Sequence, residues 1–590
     1  MKKFVSLLLA VIMICGSVFA LSSCGEPKDA GAEIRVYLGD KLYDFDPTDY
    51  YADKNAEQVM SLLYEPLFKI NSKGKLECAA AEEYTVDETE RKIVISLRES
   101  YWSDEIRVKA DDYIYAWREV LLNPAKPNPA AALLYDVENA TAIKLGQKSY
   151  AEFGAVKSEI YEIVITYREG ADYEQLLKNL ASVATAPLRQ DVVDPAKTFW
   201  SKDMSTIVTN GPFKIEALDY ETGEFTLARN LGYHQNPTVK KYTKNVNPAA
   251  LISFFVSGEE TAISYSQIED KTVFYMADAS LEDRANNKDK AEYVDDMSTY
   301  TYVFNTENPL FANKDVRRAL SLALDRATIA NTVTFGKAAT GFLTDNVAKS
   351  IYGENIDARI SADHDKNLAD AKALIASANL TGISKTFTLT VNNDEESIAI
   401  AQIAKAAWTE LGFNVKIKTV DTVKSEVLDP NARSTDENKT ITIEDSAIQA
   451  LIKEASYGNR NFDVIALDWH MYSNDAFVAL AGFTSTMNGG GTDFTTGASR
   501  SNISGWTNAD YDHYVNLAYT ATSDSDRAAA LKEAEKILID SAPIVPIIYN
   551  QSFAFVSKDI SKLTTDGFGN FVLTDLKQKN YRDYIESEED

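Results

Sequence analysis

A chain of 590 residues is too long for one hydrophobic core and is expected to divide into two or three lobes. A hydrophobic content of 45% with 31 tyrosines describes a packed globular protein, and the formal charge of −28 argues against nucleic-acid or anionic-membrane binding through a basic surface. Three cysteines, Cys15, Cys24 and Cys78, rule out a disulfide-rich framework, so the fold must rest on its core.

Met1-Lys2-Lys3 is a short basic start, Phe4 to Leu21 is almost wholly apolar, and Leu21-Ser22-Ser23-Cys24 closes the segment with small residues. That order describes an export signal. A retained membrane anchor is the competing reading, because the apolar run approaches the roughly 20 residues that span a bilayer; Ser6, Gly16 and Ser17 weaken it. Leu-Ser-Ser-Cys resembles the lipobox of bacterial lipoproteins. The resemblance implies removal of residues 1–23 and a diacylglyceryl group on Cys24, with about 0.8 kcal/mol of membrane affinity per buried methylene. Residues 24–33 then read as a flexible tether, and Cys78, beside Ala79-Ala80-Ala81, as a small buried apolar residue.

The body of the chain reads as α/β. Alternation at Ile93, Ile95 and Leu97 predicts a strand, as does Ile163-Val164-Ile165-Thr166. Phe387, Leu389 and Val391 alternate with threonines; Ile400, Ile403, Ala404, Ala407 and Leu411 mark one helical face; Phe413, Val415 and Ile417 alternate again. Strand, helix and strand at this spacing predict a crossover between parallel neighbours, with Gly412 stopping the helix. A buried strand is expected at Phe462–Leu467, after a polar surface excursion and a helix from Ile443 to Ala455. The end, 581–590, is an acidic tail.

Several segments occur together in the order seen in the family-5 extracellular solute-binding proteins: Leu63-Tyr64-Glu65-Pro66-Leu67, Trp102-Ser103-Asp104, Val108 to Asp112, Asn210-Gly211-Pro212-Phe213, Val316-Arg317-Arg318-Ala319-Leu320, Leu324-Asp325-Arg326 and Ala542 to Ile547. Their collinearity makes the chain resemble that family. The resemblance implies a two-lobe, periplasmic-binding-protein-like clamp with an extra domain inserted in the first lobe: lobe I at 34–66, 196–299 and 541–580, the insertion at 67–195, and lobe II at 300–540. It further implies a small solute, a peptide above all, captured between the lobes and delivered to the permease of an ABC importer. The protein would be a monomer held to the membrane by its N-terminal lipid, on the extracytoplasmic face, without cofactor.

In peptide-binding relatives an aspartate after a buried strand pairs with the peptide's α-ammonium. Here the run is Asp468-Trp469-His470-Met471-Tyr472-Ser473-Asn474-Asp475, and Tyr472 stands at the aspartate's position. A neutral phenol lacks the Coulomb term, so Asp468 or Asp475 is expected to supply the charge, or the ligand is a modified peptide or another solute. Trp469 reads either as a wall of the pocket or as core. Asn305 and Asn210 are placed near the lobe junction, where they touch solute or shape the hinge. Gly489-Gly490-Gly491 lacks a following Gly-Lys-Ser/Thr and reads as a mobile loop. Arg317, Arg318 and Arg326 are expected in surface or inter-lobe ion pairs, and Trp102 and Trp117 in the core of the insertion.

His234, His364, His470 and His513 show no metal-ligand spacing, and neither His-Glu-x-x-His, Cys-x-x-Cys nor Gly-x-Ser-x-Gly occurs. No metal and no catalytic residue is assigned. A lipoprotein hydrolase, a sensor of a peptide signal and a binder of a non-peptide solute are the alternatives.

Overall fold

The computed structural model describes residues 31–50, 55–122, 127–196, 199–238, 245–256, 263–356, 359–428, 440–493, 496–497 and 499–582. The expected export leader, Cys24, and most of the expected tether and acidic tail lie outside the described residues.

One mixed sheet runs through both lobes. Ten of its eleven strands are β1 (Glu33–Tyr37), β2 (Phe213–Asp219), β3 (Glu224–Arg229), β4 (Ala250–Phe254), β5 (Tyr275–Met276), β6 (Ala291–Phe304), β7 (Thr386–Asn392), β8 (Asn414–Val420), β9 (Val464–His470) and β10 (Ile544–Val556); the eleventh, Gly336–Ala338, pairs with β10 off the main path. Their spatial order is β8-β7-β9-β6-β10-β5-β1-β4-β3-β2. β6 and β10 are the two long strands and belong to both lobes. The first end of β6, Ala291–Asp295, pairs with Phe555–Gln551, and its second, Thr299–Val303, with Tyr549–Ile544. Between them the register shifts, so that Asp296, Met297 and Ser298 are spliced into one strand against a single residue, Asn550, on the other. A bulge of this kind bends a ladder and concentrates its twist. The lobes therefore turn about a two-stranded crossing with an irregularity at its midpoint.

Lobe II forms as its sequence pattern predicts. β7 and β8 are parallel, Thr386 opposite Asn414, joined by the helix Glu395–Glu410. Asp394 caps that helix by accepting from the Ser397 amide at 2.7 Å. Gly412 follows its end at φ +87°, a conformation that costs other residues about 1 kcal/mol or more. Trp408 faces the sheet among Tyr302, Phe304 and Phe387, and its indole donates to the Leu320 carbonyl at 2.8 Å.

The inserted domain has its own antiparallel sheet, Ala81–Asp87, Lys92–Leu97, Glu162–Thr166 and Ala155–Glu159 in spatial order. Trp102 and Trp117 are fully buried in it; their indoles donate to Asp112 at 3.0 Å and to the Thr185 carbonyl at 3.0 Å.

Four expectations change. The segment before the helix Ala447–Ser456 is a hairpin, Thr422–Leu428 with Thr440–Ser446, because the β-branched alternation Thr440-Ile441-Thr442-Ile443 favours a strand over the expected helix start. Arg317 and Arg326 are buried and donate to backbone carbonyls, Ser541 at 3.0 Å at the end of a helix and Pro546 at 2.8 Å beside a register shift in the β6–β10 ladder; of the three arginines, Arg318 makes the ion pair, with Asp540 at 3.4 Å. Gly489–Gly491 presses on the inserted domain: a Cβ at Gly489 would strike the Asn128 carbonyl, and one at Gly491 would lie 2.8 Å from the Lys144 carbonyl. Cys78 is half-buried, not fully so.

Candidate functional site

β9 leads out of the core of lobe II into the face opposite lobe I, and its last residues place the run 468–475 there. Asp468 lies opposite Tyr300 and accepts from Asn550 Nδ2 at 2.5 Å; the same amide donates to Ser298 Oγ at 2.7 Å. Asp468 is thus tied into the hinge itself. Trp469 is core: its ring lies edge-on to Phe342 and tilted against Phe483, with centroids at 5.9 and 4.7 Å, and a Cβ on Gly482 would come within 2.9 Å of it. One part of Trp469 borders a cavity of about 20 Å³ shared with Pro127 and Pro129 of the inserted domain, enough for about one water.

Tyr472 crosses the cleft. Its backbone sits at φ +49°, an uncommon conformation for a bulky residue. Its hydroxyl lies 3.4 Å from the Thr48 carbonyl, and its ring meets Tyr50 edge-on at 5.0 Å. Ser473 Oγ donates to Asn179 at 2.6 Å and Gln175 donates to Asn474 at 3.3 Å, joining lobe II to the inserted domain. Asp475 accepts from the Phe477 amide at 3.0 Å and is held by Arg527 Nη2 at 2.8 Å from both carboxylate oxygens. Its charge is already met by a cation of its own lobe. The expectation that it serves a ligand ammonium does not fit this pairing.

Neither asparagine stands free in the cleft. Asn210 is buried and exchanges two bonds with the backbone of Glu65, 3.0 Å to its N–H and 2.9 Å to its carbonyl, closing the loop that leads into the inserted domain. Asn305 follows the end of β6 farthest from the hinge, where it donates to the carbonyls of Arg460 and Phe462 at 3.2 and 3.0 Å and edges an open groove of about 480 Å³. The hinge lies at the middle of that strand, so its last residue is carried away from the junction.

Sequence reasoning passed over a second group. Glu57 sits in the helix Ala56–Leu63 among the buried Ala56, Val59, Met60, Leu62 and Leu63, an acid on an apolar face and a legible signal in hindsight of the fold. It accepts from the Tyr50 hydroxyl at 3.3 Å and faces His470 Nδ1 at 3.7 Å. Asp296 in the hinge bulge accepts from the Ser298 amide and hydroxyl at 2.7 and 2.8 Å. Asp566, in the final lobe I segment, accepts from the amides of Phe568 and Asn570, both at 2.9 Å. Burial, reinforced by the charge of Glu57, pushes Asp566 up to about 7; burial also raises Asp296 despite His470 beside it. For His470 burial acts downward, but Glu57, Asp296 and Asp468 together outweigh it, and its pKa stands above the ordinary value.

Away from the hinge a further link closes the cleft. Lys202 of lobe I reaches Asp445 on the 422–446 hairpin of lobe II and also pairs with Asp44 at 3.3 Å. Among the described residues no group of three His, Cys, Asp or Glu is arranged to hold a metal ion, and no helix is long and apolar enough to cross a membrane.

Residues 75–491 match the family model described as bacterial extracellular solute-binding proteins, family 5 middle. Over its length the chain is 24% identical to the dipeptide-binding protein DppE of Bacillus subtilis (strain 168), covering 93% of this chain and 95% of the relative. The fold is shared with the murein tripeptide binding protein MppA of Escherichia coli, with a TM-score of 0.74 at 21% identity over 93% of this chain and 98% of the other. The unliganded open form of MppA superposes less well, with a TM-score of 0.55 over 94% and 98% of the two chains. A hinged two-lobe sheet with an inserted domain, matched along most of its length, identifies the chain as a member of the bacterial extracellular solute-binding proteins of family 5.

Proposed function

We propose that this chain captures a peptide between its lobes and passes it, chemically unchanged, to the permease of an ABC importer. One observation carries the reading: the run 468–475 leaves β9 at the hinge and faces Thr48, Tyr50 and Glu57 of lobe I across the cleft. A solute that touches both faces favours closure by what it gains from the second one. An extended peptide suits such a cleft, because its backbone pairs as an added strand would and many side chains are tolerated. Relatives named for dipeptide and murein tripeptide binding support the choice of ligand class. The reading includes no enzymatic turnover, no cofactor and a monomer. It also includes a lipid on Cys24 that holds the protein at the outer face of the membrane, supported by Leu21-Ser22-Ser23-Cys24.

A second reading, capture of a blocked peptide or a non-peptide solute, is favoured by one specific feature: Tyr472 replaces the expected aspartate and Asp475 is spent on Arg527. Native mass spectrometry of freshly purified protein tests both. Added masses that sequence as peptides support the first reading; a lipid, sugar or other solute supports the second. A ligand that returns altered after incubation contradicts both.

A further inference from the structure

Lys144 ends the short helix Ala140–Lys144 of the inserted domain and is 4% exposed. Among the described residues its ammonium makes one hydrogen bond, from Nζ to the Val120 carbonyl at 2.7 Å, and no salt bridge. An ammonium carries three donors and a full charge, and taking it out of water without an opposite charge is unfavourable.

The inserted domain does not bury this lysine alone. Gly491 of lobe II lies over it: a Cβ there would stand 2.8 Å from the Lys144 carbonyl and 3.6 Å from Cε. On either side the Thr492 hydroxyl donates to the Leu145 carbonyl at 3.0 Å, and the Asn128 amide donates to the Gly489 carbonyl at 2.9 Å. The same loop carries Arg500, whose amide donates to the Gly491 carbonyl at 2.9 Å and whose positive charge acts on Lys144.

The remaining charged groups on the elements packed around Lys144 are engaged elsewhere. On the helix Ala110–Leu122, Asp111 pairs with Lys157, Asp112 accepts from the Trp102 indole, and Arg118 and Glu119 lie beside Tyr115 and Tyr150. Asp136 pairs with Arg168, Glu138 with Arg91 and Lys148 with Glu152, and the turn Pro129–Leu134 carries no charge. On the lobe II loop Asp493 accepts from the Thr496 amide. Lobe II therefore brings Lys144 a cover and a like charge. The inserted domain itself is tied to lobe I by main-chain bonds, Ser103 N–H to the Thr209 carbonyl at 2.8 Å and Tyr101 N–H to the Gly232 carbonyl at 3.0 Å.

We propose that closing the inserted domain onto the 489–500 loop buries Lys144 beside Arg500 and expels its proton to solvent, which couples clamp closure, and ligand capture with it, to pH. The inference rests on the capture reading and supplies its regulation. With the lobes apart, Lys144 meets water on the side that Gly491 covers and titrates near its ordinary 10.5; in the closed state burial above all, helped by Arg500, lowers it to about 7. The closed state then binds fewer protons than the open one between about pH 7 and 10.5. Closure strengthens as pH rises through that window and is level below it, and each closing event near pH 8.5 releases about one proton.

The test measures the Kd of a tetrapeptide pool with free amino termini at pH 6, 7, 8 and 9, for the unaltered chain and for Lys144→Met. In parallel, distances between spin labels on the inserted domain and lobe II report the closed fraction of the unliganded protein. Relative to the variant, whose Kd carries the titration of the peptide itself, the unaltered chain is expected to gain up to about tenfold in affinity per unit above pH 7 and nothing below it. The closed fraction is expected to follow the same curve. Arg500→Gln keeps the lysine and removes the like charge, so the rise should begin at higher pH; it also serves if Lys144→Met does not fold. A ratio of the two Kd values that stays constant from pH 6 to 9 shows that Lys144 is buried whether the clamp is open or closed, and overturns the inference while peptide capture stands. Failure of the whole pool to bind overturns peptide capture, and the spin-label distances then decide alone: a closed fraction that ignores pH overturns the inference too.

Discussion

Arg527 Nη2 lies 2.8 Å from each carboxylate oxygen of Asp475, and Asp475 is 1% exposed. The pair holds the start of the helix Ala476–Ala481 against the long helix Asp524–Ser541. Removing one member of a buried pair strands the other charge, which costs about 3–5 kcal/mol. Arg527→Ala is therefore expected to lower the melting temperature sharply. Ligand affinity of the folded fraction should stay within about twofold of the unaltered protein, because each charge of the pair is already met by the other. A large loss of affinity at unchanged stability would instead place Asp475 in ligand binding.

Lys202 bridges lobe I to the 422–446 hairpin through Asp445 while holding Asp44 at 3.3 Å. Its side chain is 13% exposed, so solvent screens the link only in part. A charge-assisted bond of this type contributes about 1.5 kcal/mol. Lys202→Met should reduce the closed-to-open ratio of the unliganded protein about tenfold. Distances between spin labels on the two lobes report that ratio directly.

Lys144 is buried at the contact between the inserted domain and Gly491 of lobe II, where Nζ donates to the Val120 carbonyl at 2.7 Å. Burial, helped by nearby Arg500, lowers its pKa from 10.5 to about 7. The native state then binds fewer protons than the unfolded chain between about pH 7 and 10.5. This group's penalty is full below that window, and its contribution to stability rises with pH across it, by up to about 1.4 kcal/mol per unit. Lys144→Met should flatten this rise in calorimetric melting series at pH 7, 8 and 9. An unchanged slope would show that Lys144 is not the titrating group.

Trp469 packs with Phe342 and Phe483 above Gly482. Trp469→Ala is expected to cost about 3–5 kcal/mol in denaturant unfolding of the unliganded protein. A wall of the ligand pocket would show the opposite pattern, with little loss of stability and a large loss of binding.

What could be read in advance follows from where the determining contacts lie. β7, its helix and β8 were legible because Phe387, Leu389, Val391 and the face through Ile400 and Ala404 carry their periods locally. The long β6 was not, because Glu292, Asp295, Asp296 and Ser298 interrupt its alternation where the strand crosses the hinge. Asp475 was singled out as a charge near the cleft, but Arg527, which neutralises it, is 52 residues away and no local pattern joins them. Glu57, Asp296, His470 and Asp566 share no spacing for the same reason. Tertiary folding alone brings them together, and single acids in an apolar helix or a turn do not announce such a meeting.

The central claim is that β6 and β10 hinge two lobes that close over a guest. Small-angle X-ray scattering of residues 25–590, without ligand and with a saturating peptide pool, measures it most directly. The account predicts a smaller radius of gyration and a shorter maximum dimension once peptide is bound. Identical profiles from samples in which calorimetry has established binding would contradict it.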